Sequence, residues 1–210
     1  VSAAAVLFVH GLWMTGHESL LLRRRLRRTA GYHTQAYHYP SVRASIARNA
    51  AGLRAAIERI DAPVVHLVGH SLGGLVILHC LRAYPSARPG RVVFLGTPCG
   101  GSRAARVLDS HRWGRALMGQ AAGEELLGPR APCWDLQRPL GIIAGTAGLG
   151  LGRLLLRFGE ANDGTIAVAE TRIEGASGHL CLPVTHSSML LSARVARATA
   201  YFLEHGTFGH

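Results

Sequence analysis

Short unbroken apolar runs alternate along this chain with longer stretches whose apolar positions return at helical spacing. The first pattern marks buried strands and the second marks amphipathic helices. Residues 5–9 predict a buried strand. A helix is expected from about Glu18, with Leu20, Leu21, Leu22 and Leu26 on its apolar side and Arg23, Arg24, Arg25, Arg27 and Arg28 on the rest. Tyr32 to Tyr39 alternates loosely and reads as a strand stopped by Pro40. Ser41 is the expected cap of a second helix, in which Ile46, Ala50, Leu53, Ile57 and Ile60 recur at spacings of 4, 3, 4 and 3. The run from Pro63 to Gly69 predicts a buried strand. Residues 72–83, apolar nearly all round, predict a helix packed centrally on a sheet.

The second half continues the alternation less regularly. A strand is predicted over 91–96, two short helices over 103–109 and 112–127, and a loop through Trp134 and Asp135. Residues 139–145 read as a short buried strand that leads into a glycine-rich loop, 145–152. Leu154 to Phe158 suits a short helix. Asn162-Asp163-Gly164 is a turn signal, followed by an expected strand over Thr165–Ala169. A further strand is expected over Leu180–Val184. The last helix, about 188–204, should bury Leu191, Val195, Ala198 and Phe202. Strands alternating with helices through one chain predict an α/β architecture: a mostly parallel central sheet with helices on both faces. The expected organisation is one domain over 1–210, with 103–135 as a small cap or helical insertion.

Composition narrows the possibilities. With 210 residues, 48% hydrophobic and 17% charged, the chain suits a globular domain with a sizeable core. No apolar run has the length of a membrane-spanning helix. The N-terminal run lacks a basic leader and flows into His10-Gly11, so it reads as a strand and not a signal peptide. That favours a cytoplasmic protein, although a leader removed earlier stays open. All 23 basic residues are arginine, against 12 acidic residues, and the formal charge is +11. The absence of lysine excludes Schiff-base chemistry and Walker-type phosphate loops. The arginines are spread over several helices without a nucleic-acid motif. They read as a compositional bias giving weak attraction to anionic surfaces, with no specific nucleic-acid partner. The glycines of 145–152 lack the dinucleotide-binding spacing. The cysteines (Cys80, Cys99, Cys133 and Cys181) have no zinc-like spacing; three disulfide connectivities stay open beside free, mostly buried thiols, which are the simplest expectation.

Candidate chemistry centres on Gly69-His70-Ser71-Leu72-Gly73. A G-x-S-x-G pattern between a strand and a helix is a nucleophile elbow, with the serine in a strained positive-φ turn. A serine needs a base, and the base needs a partner to fix its tautomer. His186, after a late strand and before the last helix, fits the base, with His179 as its rival. Asp163 fits the acid, with Asp135 as its rival. The oxyanion of acyl transfer needs two N–H donors. Leu72, next to the nucleophile, should supply one, and Leu12, in the loop after the first strand, the other. Trp13, Met14, Trp113, Leu117 and Met118 are candidates to line an apolar acyl pocket.

Five blocks, in order, carry a resemblance. They are Val9-His10-Gly11-Leu12, Gly69-His70-Ser71-Leu72-Gly73-Gly74, Gly96-Thr97-Pro98-x-x-Gly101-Ser102, Asn162-Asp163-Gly164-Thr165-Ile166 and His186-x-x-x-Leu190-x-Ser192-x-x-Val195. Together they resemble the bacterial lipase/esterase branch of the α/β-hydrolase superfamily. The resemblance implies an α/β-hydrolase fold, and the short chain, with only 103–135 free to form a cap, predicts a small or absent lid. It implies a carboxylic-ester hydrolase using Ser71, Asp163 and His186, oxyanion donors at Leu12 and Leu72, and no cofactor or metal. Cys99 departs from the pattern, standing where a histidine is common. The short chain leaves room for only a small cap, which favours short-to-medium acyl esters. An acyltransferase with the same triad and a non-catalytic protein binding anionic surfaces are the alternatives.

Overall fold

The computed structural model describes residues 4–85, 88–127, 133–148 and 159–209. Its centre is a six-stranded sheet of β1 (Ala4–Val9), β2 (His33–Tyr37), β3 (Val64–His70), β4 (Val92–Leu95), β5 (Leu140–Gly145) and β6 (Gly178–Leu182). The spatial order is β2-β1-β3-β4-β5-β6, and every neighbouring pair is parallel. The chain moves outward from β1 to β2, then returns past β1 and proceeds the other way from β3. The connections therefore reverse between β1 and β3. In an open parallel sheet, the crevice beyond the strand ends at such a reversal is the usual ligand site. The register sets Val9 beside Gly69, so the loop after β1 and the turn after β3 leave the sheet side by side.

Alternation within each strand divides the core between the two faces. Ala5, Leu7, Val9, Val65, Leu67, Val92, Phe94, Leu140 and Ile142 join one cluster. There they meet α2 (Ile46–Glu58), α3 (Leu72–Ala83) and α5 (Arg112–Leu126). Val6, Phe8, Val68, Val93, Leu95 and Ile143 face α1 (Leu20–Ala30) and α6 (Ala193–His205). Fully burying each large side chain is worth about 1.5–3 kcal/mol, which fixes the strand register against slippage. Helix α3 is buried along almost its whole length because it lies in the middle of its layer. Two arginines bind carbonyls at helix ends. Arg88 donates to the carbonyls of Glu58, the last residue of α2, and of Ile60 and Ala62 beyond it, and Arg91 to those of Leu203 and Glu204 in α6.

The structure corrects the sequence reading at several points. Ser45, not Ser41, caps α2, its hydroxyl accepting from the Arg48 N–H at 3.3 Å. Of the leucines assigned to the apolar side of α1, Leu22 and Leu26 are buried while Leu20 and Leu21 are exposed. The expected strand over Thr165–Ala169 is absent. That segment makes one antiparallel bridge, Ala167 to Asn162, and enters a 3-10 turn at Val168–Thr171. The last helix is preceded by a separate 3-10 turn, Ser188–Leu191, that leaves Leu191 exposed. Helix α5 is interrupted at Gly119 (φ 69°, ψ −173°), where a Cβ would collide with the Val42 carbonyl. All four cysteines are free, but only Cys80 and Cys99 are buried. The helix expected at 154–158 and the second half of the glycine-rich loop, 149–152, lie outside the described residues. Among the described residues no helix is long and apolar enough to cross a membrane.

Candidate active site

Ser71 joins β3 directly to α3 with φ 54° and ψ −124°, one of two non-glycine residues at positive φ among those described. Two hydrogen bonds hold it there. Its N–H donates to the Leu95 carbonyl at 2.9 Å, and its own carbonyl accepts from Gly74 at 3.1 Å. The turn is tight because α3 packs its first residues onto β1. A Cβ on Gly73 would run into the Val9 and His10 carbonyl oxygens. The serine therefore sits at the amino end of a helix, where unpaired N–H groups and the helix dipole favour negative charge.

The late loops bring the other two groups together. Asp163 is almost fully buried. Its Oδ1 accepts from the N–H groups of Thr165 at 2.9 Å and Ile166 at 2.7 Å, so Oδ2 is left for His186. The His186 Nδ1–H donates to that Oδ2 at 2.7 Å. The backbone repeats the link, with the His186 N–H donating to the Asp163 carbonyl at 2.9 Å. An Nδ1 proton held in this way leaves Nε2 with a lone pair, the tautomer a general base requires. The pair lies against the end of β4: a Cβ on Gly96 would sit 3.1 Å from both Asp163 Oδ2 and His186 Nδ1.

The loop after β1 is set by a buried pair. His10 stacks on Tyr39 with ring centroids 4.2 Å apart. Its Nδ1–H donates to the Gly11 carbonyl at 2.8 Å, and its Nε2 accepts from the Tyr39 N–H at 3.3 Å. The Tyr39 hydroxyl returns a bond to the His10 carbonyl at 2.7 Å. Burial lowers the pKa of His10, favouring the neutral ring this pattern needs. Beyond Leu12, Trp13 adopts φ 60°. Its N–H donates to Ser41 Oγ at 3.2 Å and its indole N–H to the Leu117 carbonyl at 2.8 Å. Ser41, expected as a helix cap, thus holds this loop instead.

Ser71, His186, Leu12 and Leu72 all line one cavity of about 260 Å³. Its remaining wall is largely apolar and includes Met14, Pro98, Leu108, Met118, Leu126 and Ile166. Asp163 stands behind His186, outside the lining. The Leu12 and Leu72 N–H groups have no hydrogen-bond partner among the described residues. Helix α4 (Arg103–Asp109) and helix α5 close one side through Ala105, Leu108 and Met118. Of the expected pocket residues, Trp13, Met14 and Met118 line the cavity, whereas Trp113 and Leu117 do not and are exposed. The rival acid Asp135 is on the surface, 3.8 Å from Arg82. The rival base His179 lies on β6, bonded to Thr171 Oγ1 at 2.8 Å. Among the described residues no group of three or more His, Cys, Asp or Glu is placed to hold a metal ion. Sequence reasoning missed the supporting roles of His10, Tyr39, Trp13 and Ser41. The His-Gly pair after β1 was the available signal; the others depend on contacts between distant segments.

A serine at positive φ at a helix amino end thus shares a cavity with a histidine bonded to a buried carboxylate. The chain belongs to the alpha/beta hydrolase family, whose model matches residues 6–198. Solved structures agree on the fold. The mature Bacillus licheniformis lipase BlEst2 is similar at a TM-score of 0.75 and 21% identity, over 97% of this chain and 92% of that one. The metagenomic carboxyl esterase MGS0156 gives 0.65 and 21%, over 89% and 65%. The type II thioesterase BorB from the borrelidin biosynthetic cluster gives 0.65 and 15%, over 97% and 92%. No curated protein matches the chain.

Proposed function

We propose that this protein is a serine hydrolase of carboxylic esters with short-to-medium acyl groups, with Ser71 as nucleophile, His186 as general base and acid, and Asp163 as the group that orients His186. The reading is carried by the 2.7 Å contact between His186 and the buried Asp163 at a cavity shared with Ser71. In the proposed cycle the Ser71 hydroxyl attacks the ester carbonyl and passes its proton to His186 Nε2. The Leu72 and Leu12 N–H groups hold the oxyanion, and each such donor is worth about 3–4 kcal/mol of transition-state stabilisation. His186 then protonates the departing alcohol. Water, deprotonated by the same ring, attacks the acyl-Ser71 carbonyl, and collapse returns Ser71 and releases the acid.

The Ser71 hydroxyl makes no hydrogen bond among the described residues. Its approach to His186 Nε2 belongs to the substrate complex, where such contacts commonly tighten. The apolar wall suits an acyl chain, and a cavity of about 260 Å³ suits a small one. A panel of p-nitrophenyl esters of increasing acyl length tests the proposal. Turnover should peak at short or medium chains and fall to background in Ser71→Ala. Full activity in Ser71→Ala, or no turnover of any member, would refute it.

A further inference from the structure

We propose that His70 is a positioning residue for this site: its buried ring fixes the backbone from which the base, His186, projects. The inference rests on the proposed roles of Ser71 and His186. His70 is the last residue of β3 and is wholly buried. Its Nε2–H donates to the His186 carbonyl at 3.0 Å. The His186 N–H is already held by the Asp163 carbonyl at 2.9 Å. Both peptide groups that flank the base are therefore tied, one to the acid's loop and one to the elbow strand. The two imidazoles also pack together, with centroids 4.7 Å apart at 45°.

The chemistry of the contact settles the tautomer. A carbonyl only accepts, so Nε2 carries the proton and Nδ1 is a bare acceptor. That Nδ1 is buried without a hydrogen-bond partner among the described residues. It borders the loop after β1: a Cβ on Gly11 would lie 3.2 Å from it and 3.1 Å from Ser71 Cβ. Stability alone would favour an apolar side chain here, because an orphaned buried acceptor is costly. A histidine at this position supplies the one thing an apolar residue cannot, a donor to His186. Burial, with His186 adding to it, pushes the His70 pKa down to about 3, so the ring stays neutral when His186 takes a proton.

The test compares the wild-type protein with His70→Leu, His70→Gln, His70→Asn and Ser71→Ala, reading kcat and KM on a p-nitrophenyl ester and the melting temperature. Leucine fills the space without a donor, and glutamine can place its amide N–H near the position of Nε2. The expected result is a kcat about 10- to 100-fold lower in His70→Leu, as for a base slightly misplaced, with KM within about threefold and the melting temperature maintained. His70→Gln should recover most of the loss. Wild-type kcat in His70→Leu, with Ser71→Ala inactive, would overturn the positioning role and leave the nucleophile intact. Should His70→Leu fail to fold, His70→Asn, whose shorter amide cannot reach the carbonyl, takes its place. Asparagine as active as glutamine would likewise overturn the inference. Full activity in Ser71→Ala would instead overturn the reading of the site on which it rests.

Discussion

Replacing Ser71 by glycine should make the protein more stable while abolishing its activity. The side chain is held at φ 54° and ψ −124°, a region that L-residues avoid. Holding a residue in such a conformation costs on the order of 1–3 kcal/mol. Glycine removes that cost but adds freedom to the unfolded chain, about 0.4–1 kcal/mol. The net gain should be about 1 kcal/mol. Ser71→Ala is the matched control, since it loses the hydroxyl yet keeps the Cβ and its strain. The hydroxyl makes no hydrogen bond among the described residues, so alanine orphans no partner and should stay within about 0.5 kcal/mol of the parent. Thermal unfolding of the three proteins, followed by calorimetry in one buffer, reads the difference. Ser71→Gly should melt about 2–4 °C above Ser71→Ala, the shift expected of about 1 kcal/mol in a chain of this length. A glycine variant that melts with or below the alanine variant would show that the elbow stores no strain at this residue.

Other consequences follow from the same contacts. Asp163→Asn should fold, since its side chain can still accept from Thr165 and Ile166, but kcat should fall by about 10⁴ because His186 is driven to the wrong tautomer; near-normal steady-state turnover would remove Asp163 from the mechanism. Gly73→Ala should lose both stability and activity, because the Val9 and His10 carbonyls cannot yield without moving the loop that carries Leu12; circular dichroism melts alongside turnover would check it. Acid should destabilise the fold before carboxylates titrate. Burial lowers the His66 pKa to about 4, and its Nδ1 accepts from the Arg91 N–H at 2.9 Å. The unfolded chain, with a histidine pKa near 6.5, binds the proton first, so this contribution is complete above about pH 6.5 and is lost as pH falls towards 4. Chemical denaturation across that window should show a slope that His66→Asn, which keeps an acceptor without the titration, makes shallower.

Much of this arrangement was legible in the chain because each part rests on local chemistry. The elbow needs small residues beside Ser71, and the turn at Asn162-Asp163-Gly164 needs residues that bond their own backbone. The strand assignments of β1, β3, β4 and β5 rest on apolar runs that the sheet buries on both faces. The misreadings arose where hydrogen bonds or close contacts outside the strand and helix pattern took over a group. Thr165 to Ala169 has the apolar, β-branched look of a strand, yet the Asp163 carboxylate takes the N–H groups of Thr165 and Ile166 and bends the segment away from the sheet. Ser41 was available as a cap, but its hydroxyl bonds Trp13 from a loop 28 residues earlier. The break at Gly119 follows from contact with Val42, to which Gln120 donates at 3.1 Å. The link from His70 to His186 spans 116 residues, and nothing in the local pattern announces it.

In the proposed mechanism Ser71 is an activated nucleophile whose reactivity depends on His186. Reaction with a fluorophosphonate, followed by mass spectrometry of the digested protein, addresses it without knowledge of the natural ester. One phosphonyl adduct is expected on the peptide containing Ser71, its formation slowed by orders of magnitude in His186→Ala. No adduct, an adduct on another residue, or labelling of Ser71 at an unchanged rate in His186→Ala would contradict it.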